Sequence, residues 1–71
     1  MMTNMEFEGY WYEKGIEYYN KKAYETAIRC FNRSLEHTSN NEFEVWYMKG
    51  NAFYHLQQYN EAIYCFNKSL A

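Results

Sequence analysis

Few side chains in this 71-residue sequence could do chemistry: His37, His55, Cys30, Cys65 and nine glutamates. A nucleophile needs an activating base within hydrogen-bond reach, and no local arrangement of these residues specifies such a pair, so the chain is not expected to be an enzyme. Zinc ligands come as closely spaced Cys and His pairs, and none is present, so neither a metal nor another cofactor is expected. His37 reads as a helix-end residue whose charged form favours the terminal carbonyls. His55 reads as a solvated side chain or a weak binding contact. Cys30 and Cys65 lie 35 residues apart at equivalent places. A disulfide needs alpha carbons within about 7 Å, whereas packed helix axes lie about 8–10 Å apart, so both are expected to be reduced packing residues. The abundant chemistry is that of contact. Nine Tyr, five Phe and two Trp supply rings with large apolar faces, and the tyrosines add a hydroxyl that seeks a polar partner.

Those rings must be held by a small fold. A chain of this length buries a modest share of its surface, so its core has to be dense in large apolar groups, and 48% of the residues are hydrophobic. The net charge is −2, and the basic residues form no stripe, which argues against nucleic acid as a partner. Residues 1–35 carry five basic and five acidic side chains and residues 36–71 two and four, so the second half sets what weak electrostatic preference there is. Lys14, Lys22, Arg29, Lys49 and Glu61 interrupt every apolar stretch well short of the roughly 20 residues needed to span a bilayer. The acidic-aromatic N-terminus lacks the basic-then-apolar order of a signal peptide, and a reduced, cytoplasmic chain is expected.

Self-comparison organises the sequence. A shift of 35 residues superposes Trp11 on Trp46, Tyr12 on Tyr47, Lys14 on Lys49, Gly15 on Gly50, Tyr19 on Tyr54 and Tyr24 on Tyr59. It continues with Ala27 on Ala62, Ile28 on Ile63, Cys30 on Cys65, Phe31 on Phe66, Asn32 on Asn67, Ser34 on Ser69 and Leu35 on Leu70. Three- and four-residue apolar steps inside each unit predict four helices at about 7–20, 24–37, 43–56 and 59–70, with no Pro to interrupt them. Gly15 and Gly50 fall mid-helix, where each costs about 1 kcal/mol relative to Ala. Their equivalent placement therefore calls for a packing reason, with Ala27 and Ala62 as the facing small residues and Phe31 and Phe66 filling the volume alongside. The polar stretch from Glu36 to Glu42 reads as a loop. Asn41 with Glu44, and Thr3 with Glu6, read as helix caps. The turns at Asn20-Lys21-Lys22 and Leu56-Gln57-Gln58 contain no Gly, so a left-handed residue there would be strained.

Trp11, Gly15, Tyr18, Tyr24, Ala27 and Phe31, then Trp46, Gly50, Phe53, Tyr59, Ala62 and Phe66, resemble the tetratricopeptide repeat pattern W-x2-L-G-x2-Y followed by A-x3-F, over about residues 7–71. The resemblance implies an all-α fold of antiparallel helix-turn-helix repeats forming a short right-handed superhelix. It would be a single domain over 1–71, with units at 7–37 and 43–71 and a loop at 38–42. The chain departs from the pattern at Lys14 and Lys49, which replace Leu, and at Ser39, which stands where Pro is common. Its period is also one residue longer than the usual 34. The lysine stems could still pack while the ammonium groups reach water.

In this family the first helices of successive units line a concave groove that receives a peptide or partner helix. By resemblance the groove falls at Tyr12, Ile16, Tyr19 and Asn20, then Glu44, Tyr47, Met48, Asn51, Tyr54 and His55, implying a noncatalytic scaffold whose partner is a protein or peptide. Tyr12, Tyr19, Tyr47 and Tyr54 either touch a ligand or buttress neighbouring helices. Asn51 either bonds a peptide backbone or is simply solvated. Tyr10 and Tyr64 read as peripheral. A subgroup of the family clamps a peptide carboxylate with Lys and Asn, but Tyr12, Ile16 and Met48 occupy those places here. The sequence stops at Leu70-Ala71 without the polar closing helix common in such arrays. The face around Tyr59, Ile63, Phe66 and Leu70 is therefore expected to self-associate, as a homodimer or stacked oligomer, or to meet a further unit of a longer array.

Overall fold

In the computed structural model, residues 4–37 and 42–71 are described, with side chains from Gly9 onward. Four α-helices follow one another: α1 (Asn4–Asn20), α2 (Tyr24–His37), α3 (Glu42–His55) and α4 (Tyr59–Leu70). Helix α1 starts earlier than the apolar spacing suggested, because no Gly or Pro precedes Gly9 to stop it. The caps read from Thr3 with Glu6 and from Asn41 with Glu44 depend on Thr3 and Asn41, which lie outside the described residues.

Each hairpin closes by the same backbone device. The Lys22 N–H donates to the Tyr19 carbonyl at 2.9 Å and the Ala23 N–H to the Tyr18 carbonyl at 2.9 Å. One period later the Gln57 N–H donates to Tyr54 and the Gln58 N–H to Phe53, again at 2.9 Å. This pair of hydrogen bonds satisfies carbonyls in the last turn of the first helix, and it requires one left-handed residue. Lys22 (φ 65°) and Gln57 (φ 63°) take that conformation without being Gly. A side chain there costs about 1–2 kcal/mol, while Gly adds about 0.5–1 kcal/mol of unfolded-state freedom, so Lys22→Gly and Gln57→Gly are each expected to raise stability by about 0.5–1 kcal/mol. Urea titration followed by circular dichroism reads the change, and a loss of stability would contradict it.

Packing follows the chain: α1 lies on α2, α2 on α3, and α3 on α4, with α1 also approaching α3. The result is a slab with extents of 40 × 28 × 13 Å, with its buried residues along the seams between helices. The main seam is Ala27, Phe31 and Val45, against which Tyr12, Ile16, Tyr18, Tyr19, Leu35 and Met48 pack. Gly15 exists for this seam. A β-carbon built there would meet the Phe31 ring, with Cδ1 only 2.6 Å away, and at Gly50 the Phe66 Cε1 would be 2.7 Å away. Ser34 is buried and, among the described residues, its hydroxyl has no hydrogen-bond partner, whereas the equivalent Ser69 donates to the Phe66 carbonyl at 2.8 Å. Removing the unmet hydroxyl in Ser34→Ala should therefore stabilise the chain by about 1 kcal/mol, read as a raised melting temperature. An unchanged or lowered value would count against an unmet hydroxyl.

The two hairpins are alike in sequence and unlike in burial. On α2, Ile28 is 9% exposed and Phe31 0%, because α3 covers them. On α4, Ile63 is 57% exposed and Leu70 84%, because among the described residues no helix covers that side.

Candidate protein-binding surface

The rings on α1 and α3 are set by repeat-equivalent contacts. Tyr12 tilts against Phe31 at 6.0 Å and 46°, and Tyr47 against Phe66 at 5.9 Å and 48°. Tyr19 meets Tyr24 at 5.4 Å, and Tyr54 meets Tyr59 at 5.5 Å. The first member of each pair is held more deeply. Burial, with the Glu44 carboxylate adding to it, pushes the Tyr12 hydroxyl above its usual pKa. Burial, then Tyr24 and Tyr47, does the same at Tyr19. Both hydroxyls thus stay protonated and able to donate at neutral pH. Tyr47 and Tyr54 are 53% and 56% exposed, so their faces are open to a partner.

The other residues expected on this surface divide in the same way. Ile16 and Met48 are half-buried against the Phe31 seam, while Asn20 and Glu44 are exposed. Asn51 is half-buried and its amide donates only a long contact, 3.8 Å, to the Met48 sulfur. That leaves most of its hydrogen-bonding capacity free. His55 is exposed, yet its ring stacks on Tyr24 at 4.7 Å and 5° and meets Tyr19 edge-on at 5.6 Å. It therefore joins α1, α2 and α3 at one end of the seam between the repeats. The sequence marks Tyr24 only as a core position, and no local spacing pairs it with a ring 31 residues later.

With the geometry in place, comparison with known proteins adds the family. The tetratricopeptide repeat pattern matches residues 9–41 and again residues 43–71. This chain belongs to the tetratricopeptide repeat family. Proteins built of such repeats generally mediate protein–protein interaction and are typically non-enzymatic scaffolds. No curated protein and no solved structure matches the chain.

In this tetratricopeptide repeat protein the lysines at the family's Leu position are half-buried, with their ammonium groups close to aromatic rings. Lys49 lies over the Trp46 ring at 4.7 Å, and Lys14 lies 3.6 Å from Glu17 and over Tyr10 at 5.8 Å. Burial lowers the Lys49 pKa, opposed by Cys65. Cys30 and Cys65 are free, buried thiols raised by desolvation, with Lys14 and Lys49 partly offsetting it, so neither is a thiolate at neutral pH. This repeated Lys–Cys neighbourhood is missed from sequence, though the two pairs share one offset along the chain. Tyr10 and Tyr64 are exposed at the outer side, edge-on to Trp11 and Trp46. Among the described residues no cluster of three His, Cys, Asp or Glu could hold a metal, and no helix is long and apolar enough to cross a membrane.

Proposed function

We propose that this protein is a noncatalytic recognition module that receives a peptide or partner helix along the α1–α3 surface. Tyr47, Asn51 and Tyr54 make contact, while Tyr12 and Tyr19 hold the floor. The observation that carries this reading is the combination of anchoring and exposure at Tyr47 and Tyr54, whose rings lie tilted against Phe66 and Tyr59 while each residue is more than half exposed. A ring fixed before binding loses little freedom on contact, which suits it to carry much of an interface's energy. Asn51, Tyr47, Phe66 and Leu70 also line a shallow hollow of about 280 Å³ that could seat one side chain. The two unpaired buried thiols are consistent with a reducing, cytoplasmic setting.

The test is affinity for a partner captured from native extract and then purified. Tyr47→Ala and Tyr54→Ala should each weaken binding about 10- to 30-fold, or about 1.4–2 kcal/mol, while helicity is kept. Unchanged affinity with a lowered melting temperature would assign these rings to buttressing alone.

A second reading has its own observation. The exposure of Ile63 and Leu70, with Tyr59 and Phe66 beside them, supports reading the α4 end as an association surface. Its occupant is another copy of the chain or another helical unit.

A further inference from the structure

Five of the seven Lys and Arg side chains lie over aromatic rings. Lys14 covers Tyr10 at 5.8 Å, Lys21 covers Tyr18 at 5.7 Å and Arg33 covers Trp11 at 5.4 Å. In the second repeat Lys49 and Lys68 cover Trp46 at 4.7 and 5.9 Å, and Lys68 also reaches Tyr64 at 5.7 Å. A ring face carries negative charge density that holds a cation set over it. None of those rings is among the four tyrosines of the α1–α3 surface. Among the described residues no Lys or Arg lies over Tyr12, Tyr19, Tyr47 or Tyr54, and Tyr47 and Tyr54 are 53% and 56% exposed.

The same surface holds acceptors without a matching cation. Glu44 is exposed, acts on the Tyr12 hydroxyl closely enough to raise its pKa, and among the described residues pairs with no Lys or Arg. Asn51 lies between Tyr47 and Tyr54 at helical steps of four and three. Its amide nitrogen turns to the Met48 sulfur, which leaves its oxygen to accept. An anionic partner would meet Glu44 with no Lys or Arg to offset it. A purely apolar one would take water from Glu44 and Asn51 and return no donor.

We infer that the α1–α3 surface recognises arginine side chains on a segment of a partner protein, with each guanidinium lying on the open face of Tyr47 or Tyr54 and donating to Glu44 or Asn51. The inference rests on the recognition reading above and names the chemistry of the partner. Arginine suits these places better than lysine, because its planar group stacks on a ring while its edge still donates. Tyr47 and Tyr54 stand seven residues apart on α3, about 10 Å, a spacing met by arginines three apart in an extended segment or seven apart in a helix.

The probe is a synthetic peptide of alanine, serine and arginine in which the arginines recur at both spacings. Its counterpart carries citrulline instead, which keeps the shape and loses the charge. Titrated into the full chain and followed by NMR, the arginine peptide should shift the ring signals of Tyr47 and Tyr54 and leave those of Tyr10 and Tyr64 in place. The citrulline peptide should bind about fivefold or more weakly. Tyr47→Leu and Tyr54→Leu keep the net charge and an apolar surface, and each should weaken the arginine peptide about two- to fivefold, with helicity checked by circular dichroism. If both variants bind it as the wild type does, or the outer rings shift instead, the attraction is diffuse and the inference falls. If the citrulline peptide binds as tightly and both variants weaken it, the inference falls while the recognition reading stands. If neither peptide binds up to millimolar concentration the inference also falls, and the captured partner's response to Tyr47→Ala and Tyr54→Ala decides the recognition reading separately.

Discussion

Phe31→Ala is expected to cost about 3–5 kcal/mol. Phe31 is 0% exposed, packs with Ala27 and Val45, tilts against Tyr12 and fills the space left by Gly15, so its removal opens a void that α1, α2 and α3 all line. A chain of this length has a total stability of about 4–11 kcal/mol, so the loss is a large share of it. Phe66→Ala removes the same side chain at the equivalent place and is expected to cost roughly half as much, because part of the Phe66 ring is already in water. Urea titrations of the two variants at low concentration make the comparison. Equal losses would mean that the α4 face is covered in solution, and repeating the titrations at higher concentration would show whether a second copy covers it.

The second large effect is expected at Gly15. Alanine normally strengthens a helix interior by about 1 kcal/mol over Gly. Here the new methyl would sit 2.6 Å from the Phe31 Cδ1, and the ring is enclosed on every side and cannot retreat. Overpacking of this severity costs about 3 kcal/mol, so Gly15→Ala should lose about 2 kcal/mol net. At Gly50 the corresponding ring, Phe66, borders solvent and can swing outward. Gly50→Ala is therefore expected to fall within about 1 kcal/mol of neutral, since the helix gain offsets the smaller strain. Thermal melts of the two variants test the contrast, and a stabilised Gly15→Ala would show that α1 and α2 are not in the close approach described.

Both effects arise at a seam that is legible in the sequence, and both depend on a difference between seams that is not. That Gly15 and Gly50 serve packing follows from their recurrence at the same place in each unit, but the side chains that face them are Phe31 and Phe66 rather than the expected Ala27 and Ala62. The turns without Gly are legible too, but which residue takes the left-handed conformation, Lys22 and Gln57, comes from the structure. The candidate surface is only half legible. Tyr12, Tyr19, Tyr47 and Tyr54 share one residue type and one periodicity, yet Tyr12 and Tyr19 sit largely within the seam while Tyr47 and Tyr54 stand open. His55 reads as a solvated polar residue, and its stacking on Tyr24 appears only when α2 and α3 are side by side.

By itself, the sequence determined the four helices, the turns within the hairpins and the repeat of one unit 35 residues along. These are written in steps of three, four and thirty-five residues, and each helix needs only its own residues to display them. The tertiary structure alone decided which of two identical faces is closed and which is open. Burial is a property of what lies across a seam: Ile28 and Ile63 are the same residue in the same local setting, and only Ile28 has a helix laid over it.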